Sequence, residues 1–229
     1  MRGGGERADA RLIASLLGVV LSVWAFVVVA DLVTGGRAQR FDDRLLLALR
    51  VDGRPSEAVG PSWLPGAVRD LTALGSAPVQ VFLVLGVAGA FAVRRQYHEV
   101  VVLIAASAGG VLLIEVLKPL FGRPRPDPAF RLVDVGSLGF PSGHALLSTI
   151  IYLTLAAIVA RLSASRRLQL YVVGLASLLS FLVGASRVYL GVHYASDVLA
   201  GWAAGLAWAL VCWTVASRLA RRGWVVAPR

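Results

Sequence analysis

Six apolar runs, at 12–33, 77–93, 100–117, 145–160, 168–185 and 194–219, constrain this chain more than any other feature. Each approaches the ~20 residues an α-helix needs to cross a hydrocarbon layer. A backbone inside lipid must satisfy its own polar groups, which leaves helices or a closed barrel, and runs of this length are helices. With 57% hydrophobic residues, 16% charged residues and a mean hydropathy of +0.74, the sequence is too apolar for an ordinary soluble domain. The expected fold is therefore all-α and integral to the membrane: a six-transmembrane-helix bundle forming a single embedded domain over 1–229. A cleavable signal peptide competes for the first run, helped by Ala30, but the run is longer than a usual signal core and a retained helix is favoured. Cys212 is the only cysteine, so no intrachain disulfide is possible. The bilayer is the expected partner, and no nucleic acid is.

Between the first two runs the chain is mixed, with turn signals at Gly35-Gly36, Asp52-Gly53 and Pro61. Phe41, Leu45, Ala48 and Leu49 line one side of a short helical pattern whose other side carries Asp42, Asp43, Arg44 and Arg50. Trp63, Ala67, Leu71 and Leu74 repeat the device after a Ser62 cap and stop at Gly75. Both patterns suit short amphipathic helices lying at the interface, and a solvated loop is an equal alternative for the first.

Connections after the second and fourth runs are brief and basic (Arg94, Arg95; Arg161, Arg166, Arg167), whereas those after the first and third are long. Basic residues divide almost evenly between the two sides. One side is diluted by Asp42, Asp43, Asp52, Glu57, Asp70, Asp127 and Asp134, which favours both termini inside the cell and the odd-numbered connections outside. Trp213 and Trp224 suit interfacial anchors, and His98 a surface position.

The chemistry concentrates at three places. Ser186 to Asp197, S-R-V-Y-L-G-V-H-Y-A-S-D, brings Arg187, His193 and Asp197 to a membrane boundary, where ionisable groups are costly and usually functional. If the segment after Val192 is helical, His193 and Asp197 share a face, so Asp197 can hold one ring nitrogen while the other is free as nucleophile or base. The third connection opens K-P-L-F-G-R-P-R-P, which carries Lys118, the only lysine, with Arg123 and Arg125 on a backbone stiffened by prolines. Pro119 predicts that the preceding helix stops at Lys118. P-S-G-H at 141–144 then starts a helix, where Ser142, Gly143 and unpaired N–H groups suit an anion. Two spanning runs separate P-S-G-H from Arg187, so these places emerge on one face whatever the absolute orientation.

Taken together, Lys118-x6-Arg125-Pro126, Pro141-Ser142-Gly143-His144 and Ser186-Arg187-x5-His193-x3-Asp197 resemble the three-part signature of the type 2 phosphatidic acid phosphatase superfamily, within 118–197. The resemblance implies a lipid phosphate phosphatase. In it His193 attacks phosphorus and becomes a phosphohistidine, Asp197 orients its imidazole, and His144 protonates the leaving group and later activates water. Lys118, Arg125, Ser142, Gly143 and Arg187 hold the phosphate oxygens, with no metal and no other cofactor. The expected substrate is a phosphatidic acid, a phosphatidylglycerol phosphate or a polyprenyl pyrophosphate, hydrolysed at the outer face of a bacterial inner membrane. A lipid-to-lipid phosphotransferase and a catalytically silent lipid-binding or transport protein are the alternatives. The same site occurs in soluble acid phosphatases and vanadate-dependent haloperoxidases, which six spanning runs argue against. Arg123 either anchors phosphate or is structural, the latter favoured. Glu115, one turn before Lys118, either positions that lysine or is a buried carboxyl satisfied by another helix.

Overall fold

The computed structural model describes residues 3–221. In chain order it contains α1 (Gly3–Thr34), α2 (Gln39–Ala48), the antiparallel strands β1 (Arg50–Val51) and β2 (Arg54–Ala58), α3 (Leu64–Ala73), α4 (Ala77–Val93), α5 (Tyr97–Phe121), a 3-10 turn at Pro128–Phe130, α6 (Gly143–Leu162), α7 (Arg166–Tyr189) and α8 (Ala195–Arg221). Five helices, α1, α5, α6, α7 and α8, are each long and apolar enough to cross a membrane. The sixth expected span is broken: α4 has 17 residues and follows α3 across a 43° bend, so the two make one span only when taken together. The architecture is helical with five to six candidate spans, and the hairpin at the Asp52-Gly53 turn is its only β-structure among the described residues.

The bundle is built around α6. Leu146 and Ile150 are fully buried and Ile158 nearly so, with α5, α7 and α8 packed around them, α1 against α8 and α4 beside α5. Apolar side chains such as Trp24, Phe82 and Leu112 point outward, as helices bathed in hydrocarbon require. Two hydroxyls inside the bundle are returned to their own helix: Thr149 Oγ1 donates to the Ala145 carbonyl at 2.8 Å and Ser180 Oγ to that of Ala176 at 2.8 Å. α6 and α8 approach each other backbone to backbone. A Cβ at Gly201 would lie 2.7 Å from the Ser142 carbonyl oxygen, and one at Gly205 would lie 2.6 Å from that of Leu146. This glycine pair four residues apart allows backbone-to-backbone packing, the usual solution where lipid offers no hydrophobic drive.

Several boundaries differ from expectation. α5 does not stop at Lys118 but continues through Pro119 to Phe121. A proline in the last turn forfeits one hydrogen bond near an end where carbonyls are unpaired anyway, so it is tolerated. The helix ends instead at Gly122, whose φ of +57° and N–H donated to the Lys118 carbonyl at 3.0 Å close the last turn. α7 runs past Ala185 to Tyr189 and so includes Arg187. α3 is capped at Trp63, not Ser62, without a side-chain bond.

α2 differs in a way that matters. Its buried stripe is Asp42, Leu45, Leu46 and Leu49 at helical spacing, whereas Phe41 is 56% exposed; Asp42 and Arg50, assigned to the polar side, are buried. Leu45 and Leu49 pack on Ala145, Val188, Ala195 and Val198, so α2 docks on the helix ends that form the site. At the opposite end of the bundle Arg161 pairs with buried Glu99 and approaches His98 Nε2 at 3.1 Å, which leaves His98 half-buried instead of free at the surface. Trp224, Arg222 and Arg229 lie outside the described residues.

Candidate active site

Two of the candidate phosphate-holding cations stand one turn before a helix end closed by a left-handed glycine. Lys118 supplies the carbonyl that Gly122 caps. Arg187 supplies the carbonyl that closes α7, accepting the N–H groups of Val192 at 3.2 Å and His193 at 3.3 Å while Gly191 N–H bonds the Val188 carbonyl at 2.9 Å. This is a Schellman closure with Gly191 (φ +69°) at the left-handed position. A Cβ at Gly191 would also collide with the Phe130 carbonyl and the Arg50 guanidinium. The spacing from Arg187 to His193 thus follows from how the helix ends: the chain reverses, and the imidazole returns beside the last turn.

His193 is 1% exposed and held from both sides. Its Nδ1 lies 3.4 Å from Asp197 Oδ2, and its Nε2 lies 2.9 Å from Arg125 Nη1. An arginine only donates, so Nε2 carries the lone pair and Nδ1 the proton directed toward Asp197. Burial, reinforced by the positive charges of Arg125, Arg187 and Lys118, pushes His193 well below the ordinary histidine value, with the Gly139 backbone opposing. His193 is not itself in the helix, since α8 begins at Ala195. Asp197 sits in the first turn and accepts the Tyr194 N–H at 3.0 Å, as the acidic member of a capping box does, so one carboxylate both starts the helix and faces the imidazole.

Arg125 is spread across the loop it belongs to: Nε donates to the Ser137 carbonyl (2.6 Å), Nη2 to Ser137 Oγ (2.9 Å) and Nη1 to the Val192 carbonyl (2.7 Å). Burial draws its guanidinium down to about 10, against the pull of Asp197, so it stays charged at neutral pH. Lys118 Nζ donates to the same Ser137 hydroxyl at 2.8 Å. Arg187 is 4% exposed, with Nη1 on Thr72 Oγ1 at 3.2 Å and Nε without a partner. Ser142, fully buried at the start of α6, donates its N–H to the Asp197 carbonyl at 2.9 Å, and its Oγ is likewise unpartnered. Unpaired buried donors are rare and need a reason, and a phosphate oxygen placed between them would satisfy both. Leu146 N–H is the first amide bonded back to Ser142, at 3.0 Å, so the Gly143, His144 and Ala145 amides are the free donors of a helix start. His144 lies under the α3–α4 corner, where a Cβ on Gly75 would come within 3.0 Å of its Cδ2. It is within electrostatic reach of Arg187, His193, Arg125 and Lys118.

The three motifs therefore meet at one end of the bundle. The supporting pair divides. Arg123 is engaged by protein groups: it is bonded to Asp197 Oδ1 at 2.6 Å, Asp42 Oδ2 at 2.8 Å, Ser196 Oγ at 2.7 Å and Gln39 Oε1 at 3.2 Å, over the Tyr194 ring. Burial opposes its charge, but Asp197 and Asp42 outweigh that and raise its pKa. Glu115 is exposed, neither buried nor, among the described residues, in an ion pair with Lys118. Residues outside the three motifs complete the site, namely Ser137, Gly139, Thr72 and Asp42, together with Ser196 from an unassigned position inside the third motif. Only Asp42 carried a readable signal, a carboxylate at i, i+3, i+4, i+7 spacing with Leu45, Leu46 and Leu49. Among the described residues no group of three or more His, Cys, Asp or Glu side chains is placed to hold a metal ion.

Comparison with known proteins points to one family. The family model described as the PAP2 superfamily matches residues 99–221. Phosphatidylglycerophosphatase B of Bacillus subtilis (strain 168) is 34% identical over 149 residues, 63% of this chain and 71% of that protein. Decaprenylphosphoryl-5-phosphoribose phosphatase of Mycobacterium tuberculosis (strain ATCC 25618 / H37Rv) is 35% identical over 127 residues, which span 54% of this chain and 65%, just under two thirds, of that protein. Among solved structures, the first transmembrane PAP2 type phosphatidylglycerolphosphate phosphatase from Bacillus subtilis superposes with a TM-score of 0.80 at 26% identity, covering 88% of this chain and 96% of that one. Aquifex aeolicus LpxE does so with a TM-score of 0.52 at 25% identity, covering 70% and 88%.

Proposed function

The chain belongs to the PAP2 superfamily, and on that premise we propose that it is a membrane lipid phosphate phosphatase working through a phosphohistidine at the outer face of a bacterial inner membrane. One observation carries the reading: His193 presents Nε2 to Arg125 and Nδ1 to Asp197 with Lys118 and Arg187 close by. An arriving phosphate competes for Arg125 with the Nε2 lone pair, and its oxygens take Lys118, Arg125, Arg187, the Ser142 hydroxyl and the Gly143 amide. Nε2 then forms the bond to phosphorus while the bond to the lipid oxygen breaks, and that oxygen takes a proton from His144. The negative charge of the bound phosphate favours the protonated form of His144 that this requires. In the second half His144 accepts a proton from water as the water attacks phosphorus, the P–N bond breaks, and inorganic phosphate leaves. Asp197 offsets the positive charge on the imidazole while it is phosphorylated.

The names of the relatives make a lipid phosphomonoester the leading substrate, a phosphatidylglycerol phosphate or a phosphorylated polyprenyl lipid, with phosphatidic acid and polyprenyl pyrophosphate as further members of the class. Phosphate release from that panel, measured in detergent with EDTA present, tests the proposal. At least one substrate should turn over, a base-stable, acid-labile phosphoenzyme should be trapped, and both signals should vanish in His193→Ala. Transfer of label to a second lipid in place of free phosphate would make it a phosphotransferase, and turnover surviving His193→Ala would remove the mechanism.

A further inference from the structure

The catalytic carboxylate is not held by the motifs alone. Asp42 reaches it from α2, outside the region matched to the family, and its side chain is 0% exposed. Oδ1 accepts the Ser196 backbone N–H at 2.9 Å, and Oδ2 accepts both the Ser196 hydroxyl and Arg123 Nη2, the latter at 2.8 Å. Arg123 in turn gives Nη1 to Asp197 Oδ1, and its side chain is only 9% exposed. The result is a buried chain, Asp42 to Arg123 to Asp197 to His193, clamped at the residue before Asp197 by a backbone bond.

A buried carboxylate in an otherwise apolar stripe is costly, and a pair alone would be weak grounds for assigning a role. The arrangement here is not a pair. Two carboxylates share one guanidinium, so Asp197 is not fully neutralised by Arg123, and the cluster keeps net negative charge beside the one ring that becomes positive when phosphorylated. With Asp42 neutral, Arg123 would become a complete counter-ion to Asp197. We propose that Asp42 is a positioning residue for this reaction: through Arg123 and Ser196 it fixes Asp197 against His193 and preserves the negative charge that supports the phosphorylated imidazole. The proposal rests on His193 being the nucleophile. It gives α2 a task beyond lying at a membrane surface, since docking α2 through Leu45 and Leu49 completes the site.

Asp42→Asn keeps the volume and removes the charge. Its kcat on a lipid phosphate should fall about 100-fold, the scale of a small misplacement at a reacting group, with KM little changed because Lys118, Arg125 and Arg187 are untouched. Single-turnover labelling should show slower phosphoenzyme formation. The effect should also be non-additive, so that Asp42→Asn with Asp197→Asn is no slower than Asp197→Asn alone. Should Asp42→Asn fail to yield monodisperse protein, Ser196→Ala, which removes the hydroxyl bridge but keeps the backbone bond, should lose kcat about tenfold, the lower end for a supporting contact, again without adding to Asp197→Asn. A wild-type kcat in Asp42→Asn, or losses that multiply in the double variant, would overturn the positioning role. His193→Ala run alongside separates the two ideas: if it is dead while Asp42→Asn is normal, only the positioning role falls; if it is active, the nucleophile assignment falls first.

Discussion

His193 and His144 sit in one site but are asked for opposite protonation states, and this makes them separable by experiment. His193 must be neutral to attack, and its burial beside Arg125, Arg187 and Lys118 keeps it so. The folded protein therefore resists a proton that the unfolded chain takes near ~6.5. The sign follows: the contribution of His193 to stability is complete above that value and is lost as pH falls below it toward the depressed folded value. In an NMR titration of labelled histidine, the His193 resonance should show no titration step near ~6.5, and a midpoint there would contradict the site as described. His144 must begin protonated. Its loss should therefore depend on the leaving group: His144→Ala should be severely impaired on an alkyl phosphate, whose alkoxide is basic, and much less on p-nitrophenyl phosphate, with ~10²–10⁴-fold being the usual worth of such a proton transfer. Equal losses on the two substrates would show that His144 does something other than protonate the leaving oxygen.

At the scale of elements, the apolar runs fall on every candidate membrane span among the described residues, and the three motifs fall together at one end of the bundle. The errors have physical causes. Pro119 predicts a stop at Lys118, but the stop is Gly122, whose left-handed φ ends α5 three residues later. A charge in a short helix is usually solvated, which predicts Asp42 on the wet side of α2; nothing local in the sequence shows that Arg123, 81 positions away, pairs with it. The same holds for Ser137, whose bonds to Lys118 and Arg125 exist only once the loop has folded back. The α6–α8 contact is likewise non-local and gives a test of packing. Gly201→Leu would drive side-chain atoms into the Ser142 carbonyl, so the thermal midpoint in detergent should fall by an amount corresponding to ~1–3 kcal/mol or more. Gly86→Leu, on an open face of α4 with nothing within 4 Å, should leave it unchanged. Matching midpoints for the two variants would mean that α6 and α8 are not in backbone contact.

For the whole molecule the decisive fact is parity. Ser142 begins α6 and Arg187 ends α7, so the chain crosses twice between them and the P-S-G-H start, the Arg187 turn and the Lys118 end of α5 stand at one end of the bundle. The other end carries Arg94, Arg95, Arg161, Arg166 and Arg167 on short connections, of which Arg161 is tied to Glu99. Arginines on short loops are retained in the cytoplasm during insertion. In the proposed orientation the site faces outward, toward lipids whose phosphates have already crossed. Asp134, exposed on the long loop over the site, and Ala164, exposed in the short α6–α7 connection, make the paired probes. In a Cys212→Ala background, Asp134→Cys should react with a membrane-impermeant thiol reagent on intact spheroplasts, and Ala164→Cys should react only after permeabilisation. Ser137 is unsuited to this purpose because it bonds two of the cations. The reverse pattern would turn the site to the cytoplasm, where its substrates would be lipid phosphates of the inner leaflet, and the chemistry at His193 would be unaffected because the same cluster of side chains surrounds it in either orientation.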